Sequence, residues 1–146
     1  MKKIYGIMML LFAATMSLGL TSCNSNDDDN QMNVTVSDLM DADSEYKFYV
    51  LVTQGPKEVK WWNIYKHNED GTVNSYSQRY ECSSDAVALE QLAAIERPED
   101  MLEVRRNGNI IYVSFDSKNY EGLTLKDITL VYDMTKAQIY KYYGQE

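Results

Sequence analysis

EYKFYVLVTQGPKEVKWWNIYKH, residues 45–67, carries two strands and the turn between them. Tyr46, Phe48, Val50 and Val52 alternate with Lys47, Tyr49, Leu51 and Thr53. A period of two sends successive side chains to opposite faces of a strand, and here both faces are fairly apolar. Gln54, Gly55, Pro56 and Lys57 supply the turn. Beyond it, Val59, Trp61, Asn63 and Tyr65 fall on one face, and Lys60, Trp62, Ile64 and Lys66 on the other. Two strands joined so tightly must run antiparallel, because parallel neighbours need a crossover of a dozen residues or more.

Toward the C-terminus, Asn68-Glu69-Asp70-Gly71 reads as a hairpin loop and residues 72–81 as a third strand. That strand is polar, with Asn74, Ser75, Ser77, Gln78 and Arg79, which fits an edge strand or one lining a wet groove. Ser83, Ser84 and Asp85 are helix-capping residues, and Ala88, Leu89, Leu92 and Ile95 recur at helical spacing before Pro98. Residues 101–106 and 110–115 flank Asn107-Gly108-Asn109 as another hairpin. Residues 125–132 and 138–143 read as two further strands around Asp133-Met134-Thr135-Lys136; a helix is the alternative for the last segment, where Ile139, Tyr140, Tyr142 and Tyr143 favour strand. The expected fold is therefore α+β: a predominantly antiparallel sheet of six to seven strands in the order βββαββββ, with one packed amphipathic helix.

Toward the N-terminus, Val34-Thr35-Val36 alternates briefly before the acidic Asp38, Asp41 and Asp43, so residues 31–44 read either as a first short strand or, the preferred reading, as more linker. Lys2 and Lys3 open the chain before an apolar or small run over residues 4–20, the pattern of a secretory signal. An uncleaved membrane anchor is the competing reading of that run. Leu20-Thr21-Ser22-Cys23 resembles the lipobox of bacterial lipoproteins. The resemblance implies cleavage before Cys23, a diacylglycerol on its thiol and an acyl chain on its new amino group. Several acyl chains together anchor stably, whereas one binds a membrane marginally. Asp27, Asp28 and Asp29 follow in a wholly polar stretch, which is either a solvated tether or similar to the export tag of Bacteroidota-type surface lipoproteins. The second reading implies an outer-membrane protein exposed at the cell surface; a periplasm-facing location is the alternative. The organisation expected is signal peptide 1–22, lipidated Cys23 and acidic tether 23–43, and one domain over 44–146.

Of the 146 residues, 14 are Lys or Arg and 22 are Asp or Glu, for a formal charge of −8. Residues 1–22 hold two of the lysines and none of the acids, so their removal moves the charge to −10. Phosphate binding depends on clustered cations, so an acidic chain without a basic stripe excludes nucleic-acid partners. Besides Cys23 there is a single thiol, Cys82, which rules out a disulfide scaffold.

The chemistry-bearing residues are sparse. His67 is the one histidine, so a multi-histidine metal site is excluded, and neither it nor Cys82 stands in a nucleophile signature. Asn68, Asp70 and Thr72 set oxygens at alternate loop positions, but a calcium loop needs six to eight ligands and a later bidentate Glu. Glu99, Asp100, Glu103 and Asp116 are the carboxylates available for hydrolysis, with nothing in the sequence to pair them. No catalytic residue, metal or cofactor is expected. Aromatic rings are the more suggestive feature, because exposed rings stack on sugars or anchor a protein partner. Trp62, Tyr49, Tyr76 and Tyr80 are the candidates. The expected activity is non-catalytic binding of a surface glycan or protein. An acidic inhibitor or immunity-type lipoprotein that draws in a basic protein is the alternative, and a small hydrolase the third reading.

Overall fold

The computed structural model describes residues 32–143. The signal segment, Cys23 and the Asp27, Asp28 and Asp29 run fall outside the described residues. Strand β3 (Glu45–Gln54) pairs with β4 (Lys57–His67) as a hairpin in unbroken register from Glu45 opposite Lys66 to Gln54 opposite Lys57. Gly55, at φ 59°, takes the first central position of a two-residue turn, a conformation whose twist matches that of the flanking strands. β5 (Val73–Cys82) pairs with β4 on the other side and then with β7 (Ile110–Phe115), which pairs with β6 (Met101–Asn107).

The polar β5 is thus an interior strand, not an edge, and its outward residues lie on a face that no described helix covers. Its two faces differ for the reason period two dictates. Tyr76, Gln78 and Tyr80 point inward, while Ser75, Ser77 and Arg79 point outward.

Residues 32–43 belong to the folded unit, contrary to their reading as linker. β1 (Met32–Val36) and the short β2 (Met40–Ala42) share the free edge of β3, completing a seven-stranded antiparallel sheet in the order β1-β3-β4-β5-β7-β6, with β2 beside β1 on β3. Val34 is fully buried opposite Val52, so three alternating residues sufficed to make a strand once an edge was waiting for them. Ser37 fastens the crossing between β1 and β2, its amide donating to the Tyr49 carbonyl at 2.9 Å and its Oγ accepting from the Tyr49 amide at 2.9 Å.

Helix α1 (Asp85–Ala94) begins where Ser84 Oγ accepts from the Val87 amide at 3.2 Å. Its inward face is Val87, Ala88 and Gln91, Ile95 is buried just past its end, and Leu89 points to solvent, half exposed. The C-terminal segment departs most from the sequence reading. Residues 125–143 form one helix, α2 (Leu125–Tyr143), instead of two strands. Ile128, Val131, Tyr132, Thr135 and Ile139 are its buried residues, a helical period that the Ile, Val and Tyr content disguised as strand. At its start, Thr124 and Asp127 cap each other. The Thr124 amide donates to Asp127 Oδ2 at 2.9 Å, and the Asp127 amide donates to Thr124 Oγ1 at 3.4 Å.

Both helices pack on the same face, α1 against β4, β5 and β7 and α2 against β1 and β3, in one continuous core. Tyr132 ties the second helix down: its ring meets Phe48 edge-on at 5.2 Å and its hydroxyl donates to the Ser37 carbonyl at 2.7 Å. The class and the antiparallel sheet are as expected; the order of elements at both ends is not. Neither described helix is long and apolar enough to cross a membrane.

Candidate binding surface

The uncovered face of the sheet is built from the residues that alternate with the core. Strand register sets Tyr49, Trp62, Arg79, Tyr112 and Arg105 side by side in one row across β3, β4, β5, β7 and β6. At about 4.8 Å per strand the row is roughly 19 Å long. Aromatic rings and cations interleave along it. Tyr49 meets Trp62 edge-on at 4.9 Å. Arg79 lies 5.5 Å and Lys47 5.9 Å from the Trp62 ring centre, Lys60 lies 4.7 Å from that of Tyr49, and Arg105 5.0 Å from that of Tyr112. Such contacts contribute about 0.5–1 kcal/mol each at exposed sites and hold the rings in place. Trp62 Nε1 is shielded from solvent, so the side chain shows carbon to the outside.

This face is nearly charge-balanced on an acidic molecule. Lys47, Lys60, Lys66, Arg79 and Arg105 stand against Glu45, Glu58, Glu81 and Glu103. Three of the cations are paired locally: Lys47 with Glu45 at 3.4 Å, Arg79 with Glu81 at 3.0 Å and Arg105 with Glu103 at 3.8 Å. Beside the aromatic row, Ser77 and Ser114 are direct register partners on β5 and β7. Two such small residues between large neighbours leave a hollow of about 280 Å³, lined also by Glu45, Ile64, Arg79, Glu103, Arg105 and Tyr112.

Of the residues singled out from sequence, Tyr49 and Trp62 are brought together on this face, and Tyr76 and Tyr80 are not. The last two are fully buried on the opposite face, so they are withdrawn as surface candidates. The physical reason is register: Trp62 lies opposite Arg79, whereas Tyr80 lies opposite Trp61 and Tyr76 opposite Tyr65. Trp61 is the core tryptophan, stacked on Tyr80 at 5.4 Å. Inside, Tyr76 donates to Asn63 Oδ1 at 2.7 Å, Gln78 Nε2 to the Tyr76 hydroxyl at 2.7 Å, and Tyr80 to Gln78 Oε1 at 3.3 Å. Burial first of all pushes the Tyr76 and Tyr80 phenols above their ordinary range, so they stay protonated and donate. Tyr112, Arg79 and Arg105 were missed. The signal for Tyr112 was present in Ile111, Tyr112, Val113, Ser114, Phe115, where the odd positions are core and the even ones face out.

Of the residues considered for catalysis, His67 and Cys82 are kept apart, whereas Asp100 and Asp116 are neighbours, the Asp116 amide donating to the Asp100 carbonyl at 2.8 Å. His67 lies opposite Val73 and Cys82 opposite Val59, at opposite ends of the β4–β5 pair. Burial pushes the Cys82 thiol up to about 11, away from thiolate chemistry. Asp100 accepts from the Tyr120 hydroxyl at 2.8 Å, and Asp116 caps a 3₁₀ turn through the Lys118 amide at 3.1 Å. In the hairpin loop the oxygens serve one another: Asp70 Oδ1 accepts from the Thr72 amide at 3.0 Å and its hydroxyl at 2.7 Å, and Asn68 bonds both Thr72 and Asn74.

No protein-family model matches the chain, and neither a curated protein nor a solved structure matches it.

Proposed function

We propose that this chain is a non-catalytic binding module of the cell envelope, anchored through a lipid on Cys23, and that it takes a glycan on the uncovered face of its sheet. The lipobox-like Leu20-Thr21-Ser22-Cys23 supports the anchor. The observation that carries the glycan reading is the in-register row of Tyr49, Trp62, Arg79, Tyr112 and Arg105. Sugar rings offer C–H faces to aromatic carbon and hydroxyls to charged groups, and this row interleaves three aromatic rings with two guanidinium groups. The cations already hold the rings, so little side-chain freedom remains to be lost on binding. An open row roughly 19 Å long suits an extended chain of several sugars better than one enclosed small molecule.

The balance of charge on this face also bears on the inhibitor reading. A basic protein would be drawn to the acidic remainder of the surface, not to the aromatic row.

The test is a glycan array probed with the full chain in detergent, at low and high salt, beside Trp62→Ala. A glycan signal indifferent to salt and weakened about tenfold or more in the variant is expected. Absence of any glycan signal, or capture of a basic protein that salt releases and Trp62→Ala does not affect, overturns the reading.

A further inference from the structure

From the hollow beside the aromatic row we infer a specificity subsite for a single neutral sugar ring, centred on Ser77 and Ser114. This inference rests on the glycan reading above and adds to it a place and a chemical class. Ligand pockets run from about 300 to 1,000 Å³, and this hollow, at about 280 Å³, lies just below that range. It has room for one pyranose, with the remainder of a longer glycan lying outside it along the aromatic row.

The lining supplies what a polyol needs. Ile64 and Tyr112 give apolar surface for the C–H face of a ring. Ser77 and Ser114 face each other across β5 and β7 with hydroxyls that can donate or accept. Glu45 and Glu103 offer carboxylate acceptors, and the terminal N–H groups of Arg79 and Arg105 offer donors.

Charge decides between a neutral and an acidic sugar. Arg79 and Arg105 face Glu81 and Glu103 at 3.0 and 3.8 Å, so neither guanidinium is an uncompensated cation waiting for an anion. A ligand carboxylate would have to displace Glu81 or Glu103 from its arginine to gain a cation of its own, with Glu45 also in the lining. Neutral hydroxyls share these ion pairs without breaking them.

The experiment is amide-resolved NMR titration of the full chain in detergent with methyl glycosides of glucose, galactose, mannose and N-acetylglucosamine, and with methyl glucuronide. Expected are shifts centred on Ser77 and Ser114 with at least one neutral glycoside, and weaker binding of the glucuronide than of methyl glucoside. Ser114→Val, which narrows the hollow and removes one hydroxyl while placing a residue that strands favour, should weaken the neutral ligand about tenfold while leaving the melting temperature near that of the parent chain. Shifts confined to Tyr49 and Trp62, with Ser114→Val indifferent, overturn the subsite and leave the platform standing. Tighter binding of the glucuronide overturns the neutral class. If neither the array nor any glycoside gives a signal, subsite and platform fall together.

Discussion

His67 Nε2 stands 2.9 Å from Asp41 Oδ1 while its Nδ1 stands 2.8 Å from the Asn68 carbonyl oxygen. Both partners are acceptors, so both ring nitrogens must donate, and the geometry selects the imidazolium. The ring lies stacked on Tyr46 at 4.1 Å, and Asp41 sits on β2, so the contact fastens the shortest strand to the end of β4.

The bond to the Asn68 carbonyl, and then the bond to Asp41, raise the His67 pKa above its ordinary 6.5. A raised folded-state pKa means that the contribution to stability is complete below about 6.5 and fades as pH climbs through the folded value. Asp41 is more than half exposed, which limits the effect to under about 1 kcal/mol. Ring titration by NMR should give a pKa above 6.5 that returns toward it in Asp41→Asn, and the melting temperature of the variant should lose part of its fall above that pH. A His67 pKa at or below 6.5 refutes the imidazolium.

Tyr76→Phe should destabilise the domain by about 1–3 kcal/mol, because Asn63 Oδ1 loses its donor and Gln78 Nε2 its acceptor in the dry core. Asn63 Nδ2 has no partner among the described residues, so this cluster has little slack. Denaturant unfolding of the full chain measures the loss; a variant as stable as the parent would mean that the network contributes nothing net.

A chain begun at residue 44 should fail to fold cooperatively, whereas one begun at residue 32 should fold. The shorter chain lacks the strand that covers Val50 and Val52 and lacks the Ser37 carbonyl that receives Tyr132. Circular dichroism melts decide between them. Equal, sharp transitions would return residues 32–43 to the status of linker.

Cys23→Ala should abolish acylation and move the protein out of the membrane fraction, and replacing Asp27, Asp28 and Asp29 by Ala should lower protease accessibility on whole cells while leaving acylation intact. A Cys23→Ala protein still in the membrane fraction would favour the uncleaved anchor. Unchanged accessibility without the three acids would make them a plain tether.

Much of the sheet was legible because its signals are local. The alternation in residues 45–67, the turns at Gly55 and Gly108 and the cap at Ser84 each involve neighbours a few residues apart. α2 was misread because Ile, Val, Thr and Tyr weigh toward strand, although no Gly or Pro interrupts residues 125–143 and Thr124 with Asp127 mark a helix start. Tertiary context overrode propensity there: the helix lays its buried residues on the apolar face of β1 and β3, and packing of such a face contributes more to a helix than propensity does.

The candidate site divides along the same line. Composition and alternation determined that aromatic residues would lie on both faces of the first hairpin, and that Trp61 and Trp62 would part company. Which strands neighbour one another, and in what register, was decided only by the assembled sheet. A shift of one residue between β4 and β5 would have set Trp62 beside Tyr80 in place of Arg79, so the row that runs from Tyr49 to Arg105, and the hollow between Ser77 and Ser114, exist only at the pairing the core selects. The core makes that selection because a slip would drive its whole apolar set into water, and no local run of sequence holds that information.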